Sequence, residues 1–490
     1  MARVKGPVRL FLGIAVLACL NCGKSESTSG GAIPSASPPP PTLTSPQSPG
    51  NLAASAMSSS QIQLTWTDYA ANESQFQVER SPTGLSFSTI GSVAANVNTL
   101  TDSGLAAGSS YWYRVRAVNA AGASGYSNVA GASTPGANAW RTMGGDARHT
   151  GFNSAESGTP PLAASWSVAL SAAALQPVVV ENGRVFATSD LRFVATNPVW
   201  ALDAQTGNQL WTYNFGNVNQ VGYPAVSGNL AYVPQNNQSP GTYLWAFNVS
   251  TGAVAWASPI SSQWETYWSP VVSNGSVWTN GGYYGGLYGF NAANGNELFF
   301  NNQLEQYDEW SPAYDNGTVY TFVAGNLRAH NASSGTVSWT ASVNWNWVGW
   351  SMRTSPVITG THALVISPPN LHAVNLTSQA VEWSANATFS GTPAIANGTV
   401  FAITAGTLQA RSANGLGWQW TFNGDNALSC PPVAAAGYVY VSSNSNTYAV
   451  DASTGQQVWT AAVGGWLSIA EGRLFVARPN GTLQTYTLTP

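Results

Sequence analysis

An eleven-residue phrase recurs along most of this chain, and its spacing limits the folds open to it. Ala201 to Trp211 reads Ala-Leu-Asp-Ala-Gln-Thr-Gly-Asn-Gln-Leu-Trp. Ala246 to Trp256, Gly289 to Phe299, Ala329 to Trp339, Ala373 to Trp383, Ala410 to Trp420 and Ala449 to Trp459 repeat the register, with decay in the fifth and sixth copies. The closing aromatics Trp211, Trp256, Phe299, Trp339, Trp383, Trp420 and Trp459 lie 45, 43, 40, 44, 37 and 39 residues apart. A second phrase precedes most copies: Pro177-Val-Val-Val, Pro270-Val-Val, Pro312-Ala-Tyr, Pro356-Val-Ile, Pro393-Ala-Ile and Pro432-Val-Ala, usually followed by Asn-Gly and an apolar run. Asn-Gly is a strong hairpin signal. A period near 40 houses four short strands. Each such sheet is apolar on both faces and must stack on two neighbours, so the row has to close on itself. The chain ends agree: the strands after Trp459, including 470–476 and 481–486, lack an anchor tryptophan, and Trp166 supplies one from before the first complete unit. The reading is eight blades, with the early strand completing the last.

Composition supports an all-β protein. Charged residues are only 7% of 490, Gly, Ser, Thr and Asn abound, Trp reaches 21, and no segment keeps a 3.6-residue period over several turns. The net charge of −4 and the scattered basic residues exclude a phosphate-tracking surface, so nucleic acid is not an expected partner. Arg3, Lys5 and Arg9 precede an apolar run from Leu10 to Leu17 that is too short to span a bilayer, with small residues and a cysteine following. Residues 1–19 therefore read as a signal peptide. Val16-Leu17-Ala18-Cys19 resembles a bacterial lipobox, with Cys22 as the alternative acylated residue. The expected location is the outer membrane of an exported bacterial lipoprotein, facing the periplasm or the surface, lipid-anchored and monomeric. Residues 20–48 are rich in Ser, Gly, Thr and Pro and read as a disordered tether. Beyond Cys19 and Cys22 only Cys430 remains, so stability must come from packing rather than disulfides.

Residues 49–135 carry short alternating runs such as Ile62 to Trp66 and Phe76 to Arg80 between polar turns. With Trp66, the Leu105 to Tyr111 stretch and Tyr113 to Gly122, this segment resembles a fibronectin type III sandwich. That resemblance implies a core role for Trp66 and a corner hydrogen bond for Tyr111. It lacks an Arg-Gly-Asp triplet and reads as an accessory module. Residues 140–490, with the repeat and the opening Trp140 to Gly151, resemble the pyrroloquinoline-quinone-like β-propeller family. The resemblance implies the fold and not an activity. Catalytic members are calcium-dependent dehydrogenases that hold the quinone between a tryptophan and, in many, a disulfide of adjacent cysteines. This chain has no adjacent cysteines and no clear set of the Glu, Asn and Asp they use, so no cofactor is expected. Non-catalytic members include the lipid-anchored outer-membrane barrel-assembly propeller, which lacks the tether and the sandwich.

His149, His330, His362 and His372 fall in different phrases without paired ligand spacing, so no metal site is expected and they read as surface or blade-packing residues. One constellation stands out, in the loops leading into three consecutive blades: Trp264, Glu265, Tyr267 and Trp268, then Tyr307, Asp308, Glu309 and Trp310, then Trp345, Trp347, Trp350 and Arg353. Flat rings with a few carboxylates, amides and one arginine suit stacking on sugars or gripping an extended peptide. The same rings serve equally well to plug the channel and pack between blades. The expected function is a non-catalytic envelope scaffold that engages protein or glycan through this face, with no catalytic residue. The alternatives are an exported quinone-dependent alcohol or sugar dehydrogenase, and a carbohydrate-active enzyme using Glu265, Asp308 or Glu309.

Overall fold

The computed structural model describes residues 43–58, 61–105, 109–134, 138–156, 159–237, 241–263, 266, 268–347, 349–415, 417–435 and 437–489. The signal, Cys19, Cys22 and nearly all of the tether lie outside them. Every regular element among the described residues is a strand.

Two sheets face each other in the sandwich. One is Gly50–Ser58, Gln61–Thr67 and Thr99–Ser103, and the other is built around Gln75–Ser81 and Ser110–Asn119. Strict alternation along Gln61–Thr67 buries Ile62, Leu64 and Trp66 against Phe76, Val78, Tyr113 and Val115. Trp66 fills the core as expected, 5.6 Å from the Phe76 ring. Tyr113 is the fully buried tyrosine, its hydroxyl donating to Asp102 at 2.9 Å, whereas Tyr111 lies half-buried under the Arg80 guanidinium.

The propeller has eight blades. Blade 1 comprises Val179–Glu181, Arg184–Ala187, Pro198–Asp203 and Gln209–Asn214, and blades 2 to 7 occupy 220–260, 271–301, 313–342, 357–386, 389–422 and 430–461. Blade 8 takes Trp466–Ala470, Arg473–Ala477 and Thr482–Thr489 from the end of the chain and Thr159–Ala169 from before blade 1. Val168 pairs with Leu483 and Ser167 with Gln484, so the early strand closes the ring as the repeat count requires. Apolar clusters straddle the blade boundaries, and one of them joins blades 7, 8 and 1.

The repeated phrase is an inter-blade latch. Asp203 accepts the backbone N–H groups of Gln205 and Thr206, and Asn248, Asn291, Asn331, Asn375 and Asp451 form the same turn. Gly207 follows at φ 73°, where a Cβ would come within 2.6 Å of the Trp166 ring of the preceding blade. Only glycine leaves room there for the indole to lie flat on the turn. Trp166 then donates its indole N–H to the Ala204 carbonyl at 3.1 Å, and Trp211, Trp256, Trp383 and Trp420 do the same to the next blade. Phe299 has no N–H to give; Trp278 of the same blade supplies it, to the Ala332 carbonyl. In blade 5 the glycine position is Gln379, held at φ 58°, which is the sequence decay noted above.

The opening phrase has a structural role that sequence did not reveal. Residues 138–153 circle the channel and touch the innermost strand of every blade. Val180, Val226, Tyr314, Ile358, Ile395 and Ala434 donate backbone N–H groups to the carbonyls of Trp140, Arg141, Ala147, Arg148, Thr150 and Gly151 at 2.6–2.9 Å. Thr142 donates to the Pro270 carbonyl of blade 3, and Asn153 to the Ile469 carbonyl of blade 8. Inner edge strands would otherwise leave these amides unpaired in a narrow channel. Trp140 is the buried indole of this girdle, and Gly144, Gly145 and Gly151, all at positive φ, let the segment bend.

Two histidines packed in this interior make the propeller acid-sensitive. Burial drives the His149 imidazole down to about 4, the Pro312 carbonyl offsetting little, and neither ring nitrogen reaches hydrogen-bond geometry. Burial likewise lowers His330 to about 4. Its Nδ1 lies 3.2 Å from the Gly335 carbonyl, to which it donates, and its Nε2 shares a hydrogen bond with the Thr321 hydroxyl, contacts that the neutral ring satisfies. Below about pH 6.5 the unfolded chain binds protons that the folded state refuses, so stability falls as pH drops from 6.5 to 4, by up to about 3 kcal/mol for each ring. This histidine share should appear as a fall in the urea midpoint between pH 7 and pH 4.5, partly offset by the Asp146 and Asp308 carboxyls, which burial raises and which favour the folded state as pH falls. His149→Phe, which removes one titration, should visibly flatten the slope; an unchanged slope would contradict the assignment.

Candidate recognition face

Antiparallel order within each blade puts the inbound loop of its first strand and the turn between its second and third strands at one end of the ring. The Asn-Gly hairpins lie at the other. The sandwich sits at the hairpin end, where Tyr111 and Trp112 line a cleft of about 760 Å³ with Arg148 and Asn274. The inbound-loop end is consequently clear of it.

Of the residues singled out by sequence, Trp264, Glu265 and Tyr267 lie outside the described residues. Trp268 is buried, stacked on Tyr223, which meets Trp466 edge-on, so these three rings fill space between blades. Trp310 is 1% exposed and donates its indole N–H to the Tyr307 carbonyl. Tyr307 is also buried, between Trp345 and Trp350. For Trp268, Tyr307 and Trp310, packing is the role their burial leaves them, because a buried ring has no face to offer a partner. Trp345 is half-buried against Phe322. Trp347 and Trp350 are 64% and 52% exposed, their rings 6.0 Å apart at 80°.

The loops leading into blades 4 and 5 are tied together. Asp308 donates its N–H to the Trp350 carbonyl, and its own carbonyl accepts from Met352, both at 3.0 Å. Burial pushes the Asp308 carboxyl up to about 6, opposed by a hydrogen bond from Ser351 and reinforced by Glu309. Arg353, largely exposed, pairs with Glu309 at 2.8 Å. Both sit in the left-handed region, at φ 53° and 51°, a cost of about 1–3 kcal/mol each for non-glycine residues that marks this corner as constrained. Of the carboxylates considered for hydrolysis, Asp308 is buried, Glu309 is paired with Arg353, and Glu265 lies outside the described residues.

Sequence reasoning missed three exposed rings on the same end. Tyr283 and Tyr284 project from the turn in blade 3 with centroids 4.9 Å apart, and Phe193 projects from the turn in blade 1 at φ 55°. The doublet Tyr283-Tyr284 between glycines was the available signal. Together with Trp347 and Trp350 they make an aromatic rim.

Related propellers hold a quinone, which needs a cavity, a metal site and, in many, adjacent cysteines. Met143 and His149 of the girdle, with Trp466 and the prolines of blades 1, 6 and 7, enclose a void of only about 20 Å³, room for about one water. Cys430 is buried without a cysteine neighbour, and among the described residues no three His, Cys, Asp or Glu side chains converge as metal ligands. The residues present do not fit the group.

A ring of eight such blades, latched by tryptophans and closed by an early strand, defines an eight-bladed propeller of the quinoprotein-like class, here preceded by a fibronectin type III sandwich. The family model described as outer membrane protein assembly factor BamB matches residues 163–340 and 406–489, just over half the chain, and the chain belongs to that family. A fibronectin type III model matches residues 47–132. No curated protein matches. Among solved structures, BamB from Moraxella catarrhalis is similar at 16% identity, covering 66% of this chain and 99% of its own, with a TM-score of 0.55, a likeness of fold. A Fn3-like protein from Clostridium thermocellum is 30% identical over 19% of this chain and 96% of its own, with a TM-score of 0.17.

Proposed function

We propose that this chain is a non-catalytic scaffold of the bacterial cell envelope, held to the outer membrane by lipid on Cys19 or Cys22 and engaging protein or glycan partners through the aromatic rim. Family membership supports the envelope setting, since the matching description is that of an outer-membrane assembly factor. The observation that carries the binding role is the exposure of Tyr283, Tyr284, Trp347 and Trp350 at one end of a ring whose other tryptophans are largely occupied in packing. Exposed rings of this size cost solvation and add nothing to the core, whereas at an interface they supply most of the binding energy.

Capture from envelope extracts and glycan arrays, with wild type compared against Trp347→Ala and Trp350→Ala, tests the reading. Both variants should lose a captured partner at least tenfold while their thermal midpoints stay within about 2 °C of wild type, as surface substitutions do. Trp310→Ala is the contrasting control: it should cost about 3–5 kcal/mol of stability, being fully buried. Equal capture by wild type and both rim variants would remove the rim from the mechanism.

A further inference from the structure

Next to Trp350 the face carries a groove of about 360 Å³ between the loops leading into blades 5 and 6. Trp350, Ser351, Arg353 and Thr354 form one wall, and Phe389 and Ser390 the other. Thr354 is 1% exposed, lines the groove, and its hydroxyl has no hydrogen-bond partner. A buried hydroxyl without a partner costs about 1–3 kcal/mol, a cost that a ligand oxygen at this position would relieve.

The chemistry of the walls narrows the ligand. Both are interrupted by left-handed residues, Gly349 at φ 115° and Arg353 at φ 53° on one side and Gly391 at φ 74° on the other, so neither presents an extended edge for an added peptide strand. The backbone of the first wall is already engaged, because Trp350 and Met352 bond to Asp308. The single charged group, Arg353, is paired with Glu309 and gives no net attraction for an ionic ligand. What remains is a flat, half-exposed indole and the hydroxyls of Thr354 and Ser390, which match a molecule with an apolar face and a hydroxylated edge. Such a molecule is a pyranose ring.

We infer that this groove binds a neutral sugar unit of an envelope glycan, stacked on Trp350 and hydrogen-bonded by Thr354, with Trp347 as a platform for the adjoining unit. The inference rests on the proposed role of the rim and specifies its partner.

Tetramers of glucose, galactose, mannose and N-acetylglucosamine, titrated into the full chain and followed by tryptophan fluorescence and saturation-transfer NMR, provide the test. At least one tetramer should quench saturably, with affinity unchanged within twofold between 0.05 and 0.5 M salt because no charge is used. Trp350→Ala should weaken binding tenfold or more, and Thr354→Val about three- to tenfold, the loss of one hydrogen bond. Thermal midpoints should stay within about 2 °C of wild type in both variants. Absence of binding by all four tetramers, or binding indifferent to Trp350→Ala, overturns the inference. If no tetramer binds yet Trp350→Ala still abolishes capture of a protein from envelope extracts, the sugar groove falls and the rim reading survives. If both measurements are insensitive to Trp350, both fall.

Discussion

Ser167→Cys with Gln484→Cys is expected to convert the propeller into a covalently closed ring. The two positions face each other across the joint of blade 8, at register partners of an antiparallel pair, where Cα separations of about 4.5–5.5 Å suit a disulfide. They stand 317 residues apart in sequence, so the bond removes a large loop entropy from the unfolded chain, roughly 6 kcal/mol in the chain-entropy description. The oxidised protein should migrate faster than the reduced form in non-reducing denaturing gels and unfold at a clearly higher denaturant concentration. Cys430 is buried and should not compete under native conditions. Failure to cross-link in the folded protein, or a lower midpoint after cross-linking, would mean that Thr159–Ala169 does not complete the last blade.

The second large effect concerns the girdle at residues 138–153. Trp140→Ala removes a fully buried indole and should cost about 3–5 kcal/mol. Gly151→Val forces a branched side chain onto φ 63° and brings its Cβ to 2.7 Å from that of Ala394, adding strain of about 1–3 kcal/mol before any clash is counted. Combined, the two changes consume much of the about 5–15 kcal/mol that holds a typical domain folded. Hydrogen exchange makes the prediction specific. The amides of Val180, Val226, Tyr314, Ile358, Ile395 and Ala434 belong to six different blades but share one covering segment, so they should lose protection together. Deprotection confined to blades 1, 6 and 7, next to the substituted residues, would show that the segment is not a single cooperative girdle.

The burial pattern also explains why the aromatic loops divide as they do. Trp268 and Trp310 stand two residues before Pro270 and Pro312 and are buried, and Thr354, at the same position before Pro356, is buried at the floor of the groove beside Trp350. Ser269, Ser311 and Ser355 follow them and link the blades: Ser311 donates its N–H to Ser355 and its hydroxyl to the Ser269 carbonyl, while Ser269 donates to the Pro224 carbonyl. Rings further from the proline, Trp347 and Trp350, fall on loop that has left the ring and meet solvent. Sequence grouped all of them because composition carries no depth.

Sequence by itself determined the number of blades, the aromatic that anchors each and the strand that closes them. Each of these is written in a short phrase whose geometry is local: an Asx turn, a left-handed glycine, an aromatic one period away. Tertiary structure alone decided that residues 138–153 girdle the channel, that Trp310 is core while Trp350 is surface, and that Tyr283 and Tyr284 share an end with them. Those outcomes depend on which loops are brought side by side when eight separate sheets meet around one axis, and that proximity is set by the closed ring and not by distance along the chain.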